Sequence, residues 1–371
     1  MGPTSRDPFS RAFLAVVAVL LLLIIPAAAG CGGAEDEGGT AATTTAAATT
    51  TAAITTTEPT TTTTEAPDLF AMGIAIAPDT VDAIQVPVLA AAERVAAEYP
   101  ADVTIAGSDD PVADLRELAA VADLVVLVGF GFEEPLTEVA ADYPDVVFVY
   151  LDVTVDAANV ISAQFALNEA AFLVGVAAAL TTQTGQVAFL GGVATPGVTM
   201  LEAGFTAGVA AADPEVTVAT EYLGGTGDWS AFSDPARARL AALDLYGAGV
   251  DVIFHGAAGS GAGVFTAAVE TRAAGSDVWA IGVDTDQADG ADADVASVIL
   301  TSAIRDYEAA VWWVAAEFAA GRLTGGDMDL GVAEGAVRYT TTGGWLDAIA
   351  ADLEAFAARI ADGSIEVPDQ L

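Results

Sequence analysis

The residues with chemistry to offer are one histidine, one cysteine and acids at the ends of apolar runs. His255 follows the apolar run Val250 to Phe254 and leads into a Gly-rich turn, Gly256 to Gly263 (GAAGSGAG). A helical pattern starts at Val264, and a second apolar run, Val278 to Val283, closes on Asp284-Thr285-Asp286-Gln287. That is strand, turn, helix, strand, with polar residues at the C-terminal ends of both strands. In an open parallel sheet that edge is where ligands sit. A nucleophilic enzyme would need a Ser or Cys beside the histidine and an orienting acid, and no GxSxG elbow appears. His255 therefore reads as a buried or hinge-lining residue with at most a minor role at a cleft edge. GAAGSGAG lacks the Gly-Lys-Ser/Thr of a phosphate loop and is a poor dinucleotide fingerprint. No His/Cys/Glu cluster has metal-ligand spacing. The expected activity is binding, with no catalytic step, no cofactor and no metal.

The elements that position these residues alternate. Phe70 to Ala77 is strand-like, Val86 to Tyr99 has helical spacing, and Val103 to Ala106 is a short strand. Asp110 to Val121 is helical and Leu124 to Val128 a strand; Gly129-Phe130-Gly131-Phe132 turns into a helix from Pro135 to Tyr143. Val146 to Leu151 is a strand that ends at Asp152. The alternation restarts with an Ala-rich helix, Leu167 to Leu180, and runs to a last amphipathic helix, Trp345 to Ala361. Strands separated by helices of ordinary length argue for βαβ units and parallel sheets. The restart implies two similar lobes whose ligand edges face a shared cleft.

Composition narrows the partners. The formal charge is -41, and all 11 basic residues are Arg. Such a field repels phosphate backbones and argues against a nucleic-acid role. Apolar residues make up 54% of the 371, enough for real cores.

Residues 1–31 read as a processing segment: Arg6 and Arg11 precede the apolar run Ala12 to Ile25, with small residues after it. Cys31 is the only cysteine, so no intrachain disulfide is possible. Its position after Ala28-Ala29-Gly30 resembles the lipobox of bacterial lipoproteins, which implies lipidation at Cys31 and anchoring on the extracytoplasmic face of the cell membrane. Residues 32–67 are rich in Thr and Ala and read as a flexible stalk.

Four segments resemble the basic membrane protein family. They are Asn159 to Gly175 (NVISAQFALNEAAFLVG), Gly185 to Phe205 (GQVAFLGGVATPGVTMLEAGF), Asp251 to Phe265, and GVDTDQ from Gly282. Members are lipoprotein substrate-binding components of ABC importers, and several bind purine nucleosides. The resemblance implies an α/β, two-lobed periplasmic-binding-protein fold of type I, each lobe a parallel sheet flanked by helices, with the ligand cleft between. We expect residues 68–158 and 296–322 to form lobe 1, and 159–295 and 323–371 to form lobe 2.

The family's ligand residues carry over position by position. Asp284 matches the acid of GVDxDQ and would accept hydrogen bonds from ribose hydroxyls, with Asp286 the alternative as a capping or hinge aspartate. Phe232 matches the aromatic of an FxDPAK segment, here Phe232 to Arg237, and would lie against a base. Arg305 stands where the family has Lys, although Asp306 or Glu308 could also pair with it. In the first loop Asp79, Asp82 and Gln85 are the candidates, with Gln85 where Asn is usual. Ile84 stands where a second stacking aromatic is expected, so one side of the base clamp is either lost or supplied by Phe130 or Phe132, with Phe132 the candidate substitute stacker.

The implied function is an extracytoplasmic, lipid-anchored solute receptor, expected as a monomer. It would bind a nucleoside or similar small polar solute by hinge closure and dock on an ABC permease. A sugar ligand, or presentation to a membrane sensor, are the alternatives.

Overall fold

A computed structural model describes residues 70–323 and 325–371. The signal segment, Cys31 and the stalk lie outside the described residues. In chain order the elements begin with β1 (Phe70–Ile76), α1 (Asp82–Glu98), β2 (Ala101–Ala106), α2 (Pro111–Ala119), β3 (Leu124–Val128), α3 (Glu133–Ala140), β4 (Val147–Leu151) and β5 (Val160–Phe165). Then come α4 (Leu167–Thr181), β6 (Gln186–Gly191), α5 (Pro196–Ala212), β7 (Thr217–Tyr222), α6 (Pro235–Gly247), β8 (Val252–Gly256), α7 (Gly261–Ala273) and β9 (Trp279–Asp284). A short α8 (Ala293–Ala296), β10 (Ile299–Arg305), α9 (Tyr307–Ala319), β11 (Met328–Leu330), β12 (Val337–Tyr339) and α10 (Ala350–Ala361) complete the chain.

Two six-stranded sheets result, ordered β11-β5-β4-β3-β1-β2 and β12-β10-β9-β8-β6-β7. The orders are the same repeat read twice. They differ at one edge, where β11 runs parallel to β5 but β12 runs antiparallel to β10. The central strands are buried throughout: all five residues of β3 and all five of β8, His255 among them, are buried. Helices on both faces cover such strands, so they read as continuous apolar runs without alternation. Two helices begin with the same Asp-Pro device. Asp110 and Asp234 cap α2 and α6 by accepting from Ala113 N at 3.1 Å and Arg237 N at 3.0 Å, with proline at the first helical turn.

The strand pairing corrects the expected lobe boundaries. β5 is hydrogen-bonded to β4 and belongs to the first sheet, not the second lobe. β10 lies between β9 and β12 and belongs to the second sheet, not the first lobe. β11 joins the first sheet, although residues 323–371 were expected in the second lobe. The physical reason is that an apolar strand fits either sheet equally well; only its distant hydrogen-bond partner decides. The helix after each strand then goes to the other lobe: α4 packs on α5, and α9 packs on α1.

The chain therefore crosses between lobes three times, at Ala166, at Asp306 and at residues 331–336. Backbone bonds tie these crossings together. Ala166 N donates to Leu330 O at 3.0 Å, and Asp306 N donates to Ala336 O at 2.7 Å. Glu169, in the first turn of α4, accepts from Val332 N at 2.7 Å and holds the third crossing against the first.

Helix α4 is apolar on every side, with twelve buried residues, as a helix enclosed within a fold should be. Its seam with α5 is set by glycines. A Cβ at Gly208 would lie 2.0 Å from Phe172 O, and one at Gly204 would lie 2.2 Å from Asn168 O. The obstructing atoms are backbone, so nothing can move aside cheaply. Gly208→Ala is expected to force the helices apart and destabilise the chain by about 1–3 kcal/mol. Urea unfolding of the variant beside the wild type measures this.

Candidate functional site

Three charged side chains from three strand ends meet where the lobes join. Arg305 is the last residue of β10, Asp284 the last of β9, and Asp152 follows β4. The Arg305 guanidinium pairs with Asp284 through Nη1 and lies 3.2 Å from Asp152 Oδ2 through Nε. One carboxylate comes from each sheet, so the arginine bridges the lobes. Its Nε–H has no hydrogen-bond partner among the described residues. Burial pulls the guanidinium pKa down, but Asp284 and Asp152 more than offset this and hold it above its ordinary value. The neighbouring Tyr307 phenol is raised, first by burial and then by the Asp152 charge.

Both aspartates have left-handed backbones, with φ of 66° at Asp152 and 70° at Asp284. Aspartate tolerates that region better than most residues, and such outliers cluster at ligand sites. Asp152 escaped the sequence reading as a site residue. Its signal was the internal repeat, since it occupies in lobe 1 the place that Asp284 holds in lobe 2.

The candidates divide as follows. Asp284 and Arg305 come together. Asp286 is structural: it accepts from Thr342 Oγ1 and, at 3.1 Å, from Ala288 N. Asp306 is engaged elsewhere, accepting from Arg338 Nε at 2.8 Å and from Ala309 N at 3.0 Å as the cap of α9. Asp79 and Asp82 are exposed and Gln85 half-buried, between the C-terminal end of β1 and the first turns of α1. Phe232 ends a 3-10 turn, Trp229–Phe232, and its ring covers Gly192, where a Cβ would lie 2.3 Å from Cε1. Trp229 stacks beside it with centroids 6.1 Å apart and planes 24° from parallel.

Phe132 is a correction. It is 1% exposed, edge-on to Tyr150 at 6.2 Å, and part of the first lobe's core. It cannot stack on a ligand, because its ring is already the packing surface under α3. The exposed aromatic of that turn is Phe130.

A cavity of about 620 Å³ opens beside the charged group. It is lined by Asp152, Arg305, Gln164 and Phe165 together with Asn168 and Glu366. Phe232, Asp284 and the first loop are not part of its wall. It is a hinge-side space closed by the C-terminal segment, so the ring-stacking residues and this cavity are separate features. Among the described residues no cluster of three or more His, Cys, Asp or Glu is placed to hold a metal ion. No helix among them is long and apolar enough to cross a membrane.

His255 is fully buried and supports the site from below. Its Nε2 lies 2.9 Å from Gln287 Oε1, which also accepts from Val283 N at 2.9 Å. An oxygen that accepts both bonds assigns the imidazole proton to Nε2. Gln287 N in turn donates to Ser302 Oγ at 3.3 Å. The histidine thus fixes the turn that carries Asp284.

Burial pushes the His255 imidazole down to about 4. An unfolded histidine titrates near 6.5. Between those values the unfolded chain holds a proton that the folded chain does not, so stability falls as pH drops from 6.5 towards 4. The expected loss is up to about 3 kcal/mol. Denaturant unfolding at pH 7, 5.5 and 4.5 should show this slope in the wild type and a shallower one in His255→Gln.

Comparison with known proteins gives three kinds of match. A family model described as "ABC transporter substrate-binding protein PnrA-like" (Bmp) matches residues 89–370. A Listeria monocytogenes protein named CD4+ T-cell-stimulating antigen is 35% identical over 67% of this chain and 71% of its own length. The ABC transporter nucleoside-binding protein BmpA of Lactococcus lactis is 32% identical over 66% of this chain and 70% of its own. The solved structure of an ABC transporter solute-binding protein from Conexibacter woesei superimposes with a TM-score of 0.61 at 26% identity, covering 81% of this chain and 99% of that one.

Proposed function

The chain belongs to the PnrA-like (Bmp) family of ABC transporter substrate-binding proteins, and on that premise we propose that its inter-lobe cleft binds a nucleoside. The observation that carries this is the pairing of Arg305 with both Asp284 and Asp152 at the facing ends of three strands. Carboxylates that carry lone pairs suit the vicinal hydroxyls of a ribose, each of which is a donor. The half-buried ring of Phe232 supplies an apolar face for a base. The nucleoside itself is suggested by the name of the Lactococcus relative.

In this reading binding is the whole activity. A solute docks against one sheet edge, the other lobe closes about the three crossings, and the closed form presents a matching surface to a membrane permease. Cys31 would carry the lipid that keeps the receptor at the extracytoplasmic face, with residues 32–67 as the tether. One folded unit suffices for the mechanism, so a monomer is the expected state.

Thermal melting of the full chain against nucleosides, bases, sugars and amino acids tests the reading. A ligand that binds only the folded state adds about 2.7 kcal/mol of stability at one hundred times its Kd. A rise in melting temperature with inosine, adenosine or guanosine is expected. A rise with none of the panel would overturn it. In Asp284→Ala the nucleoside Kd is expected to increase by about 10- to 100-fold, because sugar donors lose their acceptor. The unliganded variant is expected to melt below the wild type, because Arg305 loses one of its two carboxylates, so affinity is compared at a temperature where both are folded.

A further inference from the structure

After α10 the chain turns back and lies where the lobes join. Gly363 takes a left-handed backbone, φ 74°, and its N–H donates to Ile360 O at 3.0 Å. Ile365 N then donates to Arg359 O at 2.9 Å, which closes the turn at the end of the helix. Beyond the turn exposure alternates: Ile365 and Val367 are half-buried, while Glu366 and Pro368 are exposed. That is the pattern of an extended segment with one apolar face. Lobe 2 carries this segment. Asn168, buried in the first turn of α4, donates from Nδ2 to Val367 O at 3.0 Å. The Asn168 carbonyl in turn abuts Gly204, in the seam with α5. Phe356 of α10 packs on Phe172 of α4, with ring centroids 5.9 Å apart.

Lobe 1 shares a cavity with it. Ile365, Glu366 and Val367 line the 620 Å³ space, and so do Gln164 and Phe165 at the end of β5 and Asp329 in β11. The same space touches Asp152 and Arg305, the pair that links the lobes, so a change in the angle between the lobes changes its width. β5 and β11 are held to each other by a strand ladder, and Phe165 is braced edge-on against Tyr307 at 4.9 Å. The segment is tied down on the lobe 2 side, at the α10 turn and at Val367 O. Narrowing the space would lay the Ile365–Val367 face against Phe165 and take its remaining apolar surface out of water. Glu366 and Asp329 carry like charges on the same cavity, so the contact forms with closure and not ahead of it.

We propose that residues 363–369 form a strap, carried by lobe 2, that seats on the β5–β11 edge of lobe 1 as the lobes close and so slows ligand release. The strap needs the closing motion but no particular solute, so it goes beyond the nucleoside reading. Contacts made only in the closed form favour that form by their own free energy. They lengthen the life of the complex and leave the first encounter with the ligand unchanged.

Crosslinking of the full chain in a Cys31→Ser background tests it. A disulfide needs Cα atoms about 4.4–6.8 Å apart, so it reports a strap that has reached lobe 1. Glu366→Cys with Asp329→Cys is expected to crosslink under mild oxidation, and about threefold or more faster with saturating inosine. In stopped-flow measurements Val367→Ser is expected to release inosine about threefold or more faster than the wild type, at an unchanged association rate. Absence of the crosslink with and without inosine overturns the proposal. Equal crosslinking rates with and without inosine, in a chain that binds it, overturn it too, as does an unchanged release rate in Val367→Ser. If the wild-type chain binds no nucleoside, the nucleoside reading falls alone. The crosslink in the unliganded chain then decides the strap: its formation supports the proposal and its absence overturns it.

Discussion

A half-buried arginine that must satisfy two carboxylates from opposite lobes is the constraint on which the rest depends. Removing charges from water costs several kcal/mol per ion, and attraction repays this only when the partners are close. Arg305 meets that condition by sitting at a strand end with Asp284 on one side and Asp152 on the other. The left-handed backbones of both aspartates, the ends of β4, β9 and β10, and the second chain crossing directly after Arg305 all follow from that placement. Other arginines do less. Arg94–Glu98 and Arg116–Glu138 are exposed pairs of the kind that contributes little.

The duplicated architecture explains how the site can both hold and move. Two sheets of the same order carry equivalent residues to one point, and three short crossings are all that joins them covalently. The crossings are cross-tied by backbone bonds and by Glu169, whose carboxyl pKa is raised chiefly by burial. Within each lobe the packing is tight, as at the glycine seam between α4 and α5. Rigid lobes and a soft joint are what hinge closure requires.

The acidic balance has its own logic. A net charge of -41 favours solubility and works against compaction through self-repulsion. The core compensates with continuous apolar strands and a largely enclosed helix. His255 illustrates the same separation: in a strongly acidic protein it stays neutral because it is buried, and its one bond goes to Gln287.

Read by itself, the sequence determined the class of fold, the run of elements and most of the candidate residues. Those depend on local signals: apolar runs, Asp-Pro helix starts, glycine turns, and short motifs such as GVDTDQ. It also offered no GxSxG elbow or orienting acid to go with His255, which therefore read as a buried residue. What only the tertiary structure decided was partnership. β5 and β10 look alike as apolar strands, and their sheets are set by hydrogen bonds to strands elsewhere in the chain. Phe130 and Phe132 are two residues apart in a Gly-Phe repeat, yet one is core and one is exposed, because only the fold decides which ring meets Tyr150. Asp152 became a site residue only when Arg305, more than 150 positions away, was brought beside it. Contacts of that range are set by the packing of whole lobes, and no spacing within a single segment encodes them.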